Sequence, residues 1–149
     1  GTIASDSYRI ELDKLAPRLR LVQQACPLWV PLVEAGELDG PGVEWFVRRY
    51  LDPLFAGNDP PERILLGCTH YPLLMPVIRR VVPAEVEVLS QGAIVAERLE
   101  DWLARHPDMD ARLSRGGSIE LATTDDPEWF ADLGSGMLGR PFRARRVHL

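Results

Sequence analysis

The chain is poor in the features that mark several protein classes. It has only two cysteines in 149 residues, too few for a disulfide framework. Two thiols suit a reducing cytosol, and a cytoplasmic location is expected. No apolar run approaches the roughly 20 residues that a bilayer-spanning helix needs. There is no long Lys/Arg run, and the formal net charge is −5, so neither nucleic acid nor an anionic membrane is an expected partner. Internal repeats and low-complexity tracts are absent. No signal peptide is visible, but Gly1 falls inside a motif, so the natural N-terminus is expected to lie upstream. What is present is a hydrophobic content of 46%, which is that of a globular chain able to bury a core.

One stretch organises the rest: Leu65-Leu66-Gly67-Cys68-Thr69-His70-Tyr71-Pro72-Leu73-Leu74. It reads as a buried strand that ends at a glycine and passes into a helix opened by Pro72. Gly67 is expected to allow a tight turn and a close approach to a ligand. Cys68 and His70 would then stand at the C-terminal end of a strand, the usual ligand edge of an open α/β sheet. N–H groups of the following helix would point at the same place and favour the thiolate. Most free cysteines are inert core residues. The Gly-Cys-Thr-His-x-Pro setting favours chemistry at Cys68. Cys26 reads as the ordinary case, a small buried residue at a strand end.

The remaining pattern is an alternation. Helices are expected over 6–15, with Ser5 or Asp6 as cap, over 29–36, 40–55, 72–82, 93–105 and 128–138. Strands are expected over 19–25, 63–66, 86–89, 119–122 and 142–149. Val43, Val47, Tyr50, Leu51 and Leu54 give 40–55 a buried stripe, with Trp45 and Phe46 as core or rim. Val95, Leu99, Trp102 and Leu103 do the same for 93–105. His106 stands at a helix end and receives no role. Regular alternation of this kind implies an α/β fold, a mostly parallel sheet flanked by helices.

Several segments together carry a family resemblance. The Gly67–Leu74 string resembles the second cysteine motif of bacterial glutamate racemases. The segment from Gly1 to Tyr8 resembles that family's Gly-Thr-x-x-Ser-x-x-Tyr run. Ala25-Cys26-Pro27-Leu28-Trp29-Val30-Pro31-Leu32-Val33-Glu34 resembles its Ala-Cys-Pro-Leu run, and Thr123-Thr124-Asp125-Asp126-Pro127 its Thr-Thr-x-Asp-Pro turn. The sequence departs at Ser90-Gln91-Gly92, where the family often has an Asp-Ser pair.

The resemblance implies a two-lobed enzyme with its site between the lobes. Residues 1–90 would be the second lobe, and residues 91–149 would return to complete the first. It implies cofactor-independent interconversion of L- and D-glutamate by two cysteines, without pyridoxal phosphate or metal, supplying D-glutamate for peptidoglycan. Cys68 would be one acid/base, Thr69 would bind substrate, and His70 would assist Cys68 or contact the substrate amine. Glu34 matches a position that assists these groups; by its own setting beside Gly36 it equally reads as solvated surface. The small-molecule substrate would be glutamate, and the intact enzyme a homodimer. The partner cysteine lies outside these 149 residues, so the segment alone is expected to be inactive. Two alternatives stay open at this point: a racemase of the same family acting on aspartate or another amino acid, and a non-catalytic α/β module.

Overall fold

The computed structural model describes residues 1–117 and 119–148. The predicted strand over 142–149 therefore ends, at Leu149, outside the described residues. The chain forms two compact units: residues 1–33 with 37–90, and residues 34–36 with everything from 91 onward.

The first unit starts with helix α1 (Ser7–Leu15), followed by α2 (Trp29–Glu34) and α3 (Pro41–Phe55). Asp6 precedes α1 with a left-handed φ of 54° and makes no side-chain cap, so the expected capping is not realised there. Strand β1 (Arg63–Leu66) leads into a single 3-10 turn (Tyr71–Leu74), helix α4 (Met75–Val81) and strand β2 (Glu87–Ser90). The two strands pair in parallel, from Arg63 opposite Glu87 to Leu66 opposite Ser90. Helix α3 packs on α4. Val43, Val47 and Leu51 recur every four residues and are buried, as are Val77 and Ile78 of α4. Burying each such side chain contributes about 1.5–3 kcal/mol, so this stripe is the core of the unit.

Two further expectations fail in this unit. Residues 19–25 form no strand. Their hydrogen bonds run elsewhere than to a neighbouring strand: Leu19 N–H donates to the Ala16 carbonyl, and the Gln23 side-chain amide N–H donates to Asp6 Oδ1. Leu19 and Val22 face solvent, so alternation was present without a sheet edge to pair with. The single helix expected over 72–82 is also interrupted. Pro76 has no N–H to donate to the Pro72 carbonyl, so the first turn closes as 3-10 and the α-helix starts only at Met75.

The second unit contains α5 (Gln91–Arg105), the short α6 (Pro107–Asp110), β3 (Leu121–Thr123), α7 (Pro127–Leu138) and β4 (Ala144–Arg146). His106-Pro107 does not simply end a helix, as expected; it opens α6. Strands β3 and β4 pair in parallel, and α7 packs on both. The Asp126 carboxylate caps α7 by accepting from the N–H groups of Glu128 and Trp129, both at 2.9 Å. The chain is thus α/β with parallel strand pairs, but short of the unbroken alternation that the sequence pattern implies. Among the described residues no helix is long and apolar enough to cross a membrane.

The apolar stripe of α5 is not buried. Val95 is 62% exposed, Leu99 55% and Trp102 38%. A helix with this patterning is built to be covered.

Candidate active site

Strand β1 delivers Gly67, Cys68, Thr69 and His70 at its C-terminal end. Gly67 does not take a positive φ. What it permits is a close approach: a Cβ there would lie 3.4 Å from the Tyr8 ring, already at contact. The turn that follows is closed by Tyr71 N–H donating to the Cys68 carbonyl at 3.3 Å and by Leu73 N–H donating to the His70 carbonyl at 3.1 Å.

Within this turn Cys68 Sγ lies 3.9 Å from His70 Nδ1. Residues i and i+2 of the turn direct their side chains to one place, while Thr69 between them is exposed and Cys68 and His70 are half-buried. A thiol beside an imidazole can pass its proton to the ring or take one back. The exposed threonine offers a hydroxyl and an N–H to a ligand arriving from solvent. The expected stack of helical N–H groups behind the thiol is weaker than the sequence suggested. The 3-10 turn stands between Cys68 and α4, and the Tyr71 N–H is already used by the Cys68 carbonyl.

Glu34 is the last residue of α2 and is exposed. It belongs to the other compact unit from Cys68, Thr69 and His70. Only those three are brought together in one turn. Among the described residues no three His, Cys, Asp or Glu side chains cluster as a metal ion would need.

The second thiol is of a different kind. Cys26 is buried, its Sγ–H points to the Gln24 carbonyl at 3.7 Å, and burial pushes its pKa up to about 12. Only about one such thiol in 10⁵ would be ionised at neutral pH. Tyr71, which pattern reading passed over, lies between the two cysteine segments. Its hydroxyl donates to the Cys26 carbonyl at 3.3 Å, and its ring meets Trp29 edge-on with centroids 4.8 Å apart. Burial, with smaller contributions from Cys26, Cys68 and Tyr50, pushes the phenol up to about 12.

Both shifts have the same sign for stability. A thiol and a phenol held protonated in the fold bind their protons more tightly than in the unfolded chain, so they stabilise below the unfolded pKa values of about 8.5 and 10. That contribution is lost as pH rises toward 12. The urea midpoint is therefore expected to fall steadily above about pH 9. In Cys26→Ala the decline should begin about one unit higher, where the phenol alone titrates. A midpoint flat from pH 8 to 11.5 would contradict the burial of both groups.

Comparison with known proteins supplies the family. No family model matches the chain. A glutamate racemase of Synechococcus sp. (strain CC9605) is 37% identical over 143 residues, covering 94% of this chain and 53% of the relative. A glutamate racemase of Shouchella clausii (strain KSM-K16) is 39% identical over 139 residues, covering 93% of this chain and 49% of the relative. Among solved structures, glutamate racemase from Thermus thermophilus in complex with β-chloro-D-alanine superposes with a TM-score of 0.73 at 31% identity, over 94% of this chain and 53% of the other. The chain spans about half the length of the curated relatives it matches. With the cysteine turn at a strand end and matches across nearly every residue it contains, the chain belongs to the glutamate racemase family.

Proposed function

We propose that these residues supply one face of a glutamate racemase site, and that the missing face comes from the half that the relatives possess beyond this match. Inverting Cα requires removal of its proton on one side and delivery of a proton on the other. The Cys68 thiolate takes the proton in one direction of reaction, and in the other the Cys68 thiol gives it up. His70 holds or accepts the thiol proton, and Thr69 holds the substrate carboxylate or amine. A second thiol across the substrate does the opposite task. A thiol is suited to both roles because its pKa lies close enough to neutrality for either form to be reached. No pyridoxal phosphate or metal is needed for this exchange. Glu34 enters this reading only through the family resemblance; it is exposed and lies outside the turn that carries the other three.

The observation that carries the reading is the 3.9 Å pairing of Cys68 with His70 beside an exposed threonine, at the end of a parallel strand. The exposed stripe of α5 supports the lobe assignment: residues 91–149 return to the first lobe, which would cover Val95, Leu99 and Trp102. The product, D-glutamate, would serve peptidoglycan precursors in the cytoplasm, and the intact enzyme would be a homodimer.

The test is to follow L-glutamate by circular dichroism with the full-length protein and with residues 1–149 alone. The full-length protein is expected to racemise it. The segment alone, holding one reactive thiol, should be slower by at least about 10³-fold, since a single acid/base can only return a proton to the face it left. Equal rates from both would overturn the two-thiol reading.

A further inference from the structure

The motif that bears Cys68 includes one residue that the proposed chemistry does not use. Tyr71 binds two turns at once. Through its N–H it closes the turn at the Cys68 carbonyl, 3.3 Å away. Through its hydroxyl it reaches the carbonyl of Cys26, 45 residues earlier, also at 3.3 Å. That carbonyl is held in place from the other side by the Trp29 N–H at 3.1 Å. The Tyr71 ring meets Trp29 edge-on at 75°, and Trp29 in turn meets Tyr50 with centroids 6.3 Å apart. Trp29 is almost wholly buried, so this end of the strut is anchored in the core.

The geometry points to Tyr71 as the positioning residue of the Cys68 thiol, a phenol strut that ties the turn carrying the sulfur to the rigid turn at Cys26. The inference rests on the racemase reading and adds to it. Residues 68–70 belong to no helix or strand, so their place is set by what the turn is tied to. Because the phenol stays protonated throughout the neutral range, it is a constant donor rather than a titrating one. Removing its oxygen leaves the Cys26 carbonyl with the Trp29 N–H, so little folding energy is at stake. Proton transfer is more demanding, because small misplacement of a reacting group lowers rates steeply.

The experiment is Tyr71→Phe in the full-length racemase. The ring and its contact with Trp29 remain; only the hydroxyl is lost. We expect kcat to fall about tenfold while KM stays within about twofold and the unfolding midpoint hardly moves. The deciding measurement is the primary isotope effect with glutamate deuterated at Cα, taken in both directions. It should rise in the direction in which Cys68 removes the deuteron and fall in the other, where the slowed return of a proton from Cys68 makes deuteron removal by the opposite thiol less rate-limiting. A loss of folded protein would scale both directions alike, and an isotope effect, being a ratio, does not depend on how much protein is folded. Wild-type racemisation with unchanged or symmetrically changed isotope effects in Tyr71→Phe would overturn the strut. A full-length wild type that leaves glutamate untouched would overturn the racemase reading and the strut with it.

Discussion

On the proposed racemase reading, replacing Cys68 by serine in the full-length protein is expected to lower kcat for glutamate by about 10³-fold, the middle of the range that one positioned acid/base contributes. The substitution changes one atom and little volume. It exchanges a thiol, a group able to give up and take back a proton in catalysis, for a far less acidic hydroxyl. The hydroxyl can still hydrogen-bond His70, so the turn that holds it, closed by main-chain bonds from Tyr71 and Leu73, should keep its form. KM should accordingly change far less than kcat. A variant that keeps more than about a tenth of the wild-type kcat would remove Cys68 from the acid/base role, because a hydroxyl cannot serve in it to that extent.

The parts of the candidate site that could be read from the sequence are those that lie next to one another in it. Cys68, Thr69 and His70 are consecutive, and the strand before them is four apolar or amphipathic residues ending at a glycine. The helices α3 and α5 were legible for the same reason: their apolar positions recur every three or four residues, whatever the rest of the chain does. What depended on distant partners was not. Residues 19–25 carry an apolar pattern fit for a strand, but a strand exists only where another edge accepts its hydrogen bonds. Here Leu19 turns back to Ala16 and Arg20 pairs with Asp59. The interruption before α4 could have been seen in Pro76, four residues after Pro72, since that spacing removes one helical bond. Tyr71 gave less warning. Its meaning lies in a carbonyl 45 residues away. The available signal was the pairing of two aromatic residues with two cysteine segments, Trp29 after Cys26 and Tyr71 after Cys68.

The burial of Trp29 sets the largest stability effect expected in the first unit. Trp29 is 1% exposed, meets both Tyr71 and Tyr50 edge-on, and donates its indole N–H to the Phe46 carbonyl at 3.4 Å. Trp29→Ala should cost about 3–5 kcal/mol through lost transfer energy and the cavity left behind. Against a total of roughly 5–15 kcal/mol for an ordinary domain, that leaves a thin margin. Trp45 provides the contrast on the next helix. It is 57% exposed and touches Phe46 and the Arg49 guanidinium, and Trp45→Ala should cost less than about 1 kcal/mol. Urea unfolding of the two variants in the full-length protein reads the difference directly. Comparable losses from both would mean that Trp29 is not the anchor of this unit. The same substitution also removes the surface against which the Tyr71 ring rests. Where Trp29→Ala still folds, its residual activity should therefore fall below that of Tyr71→Phe: loosening the ring frees the whole strut, whereas removing the hydroxyl loosens one end of it.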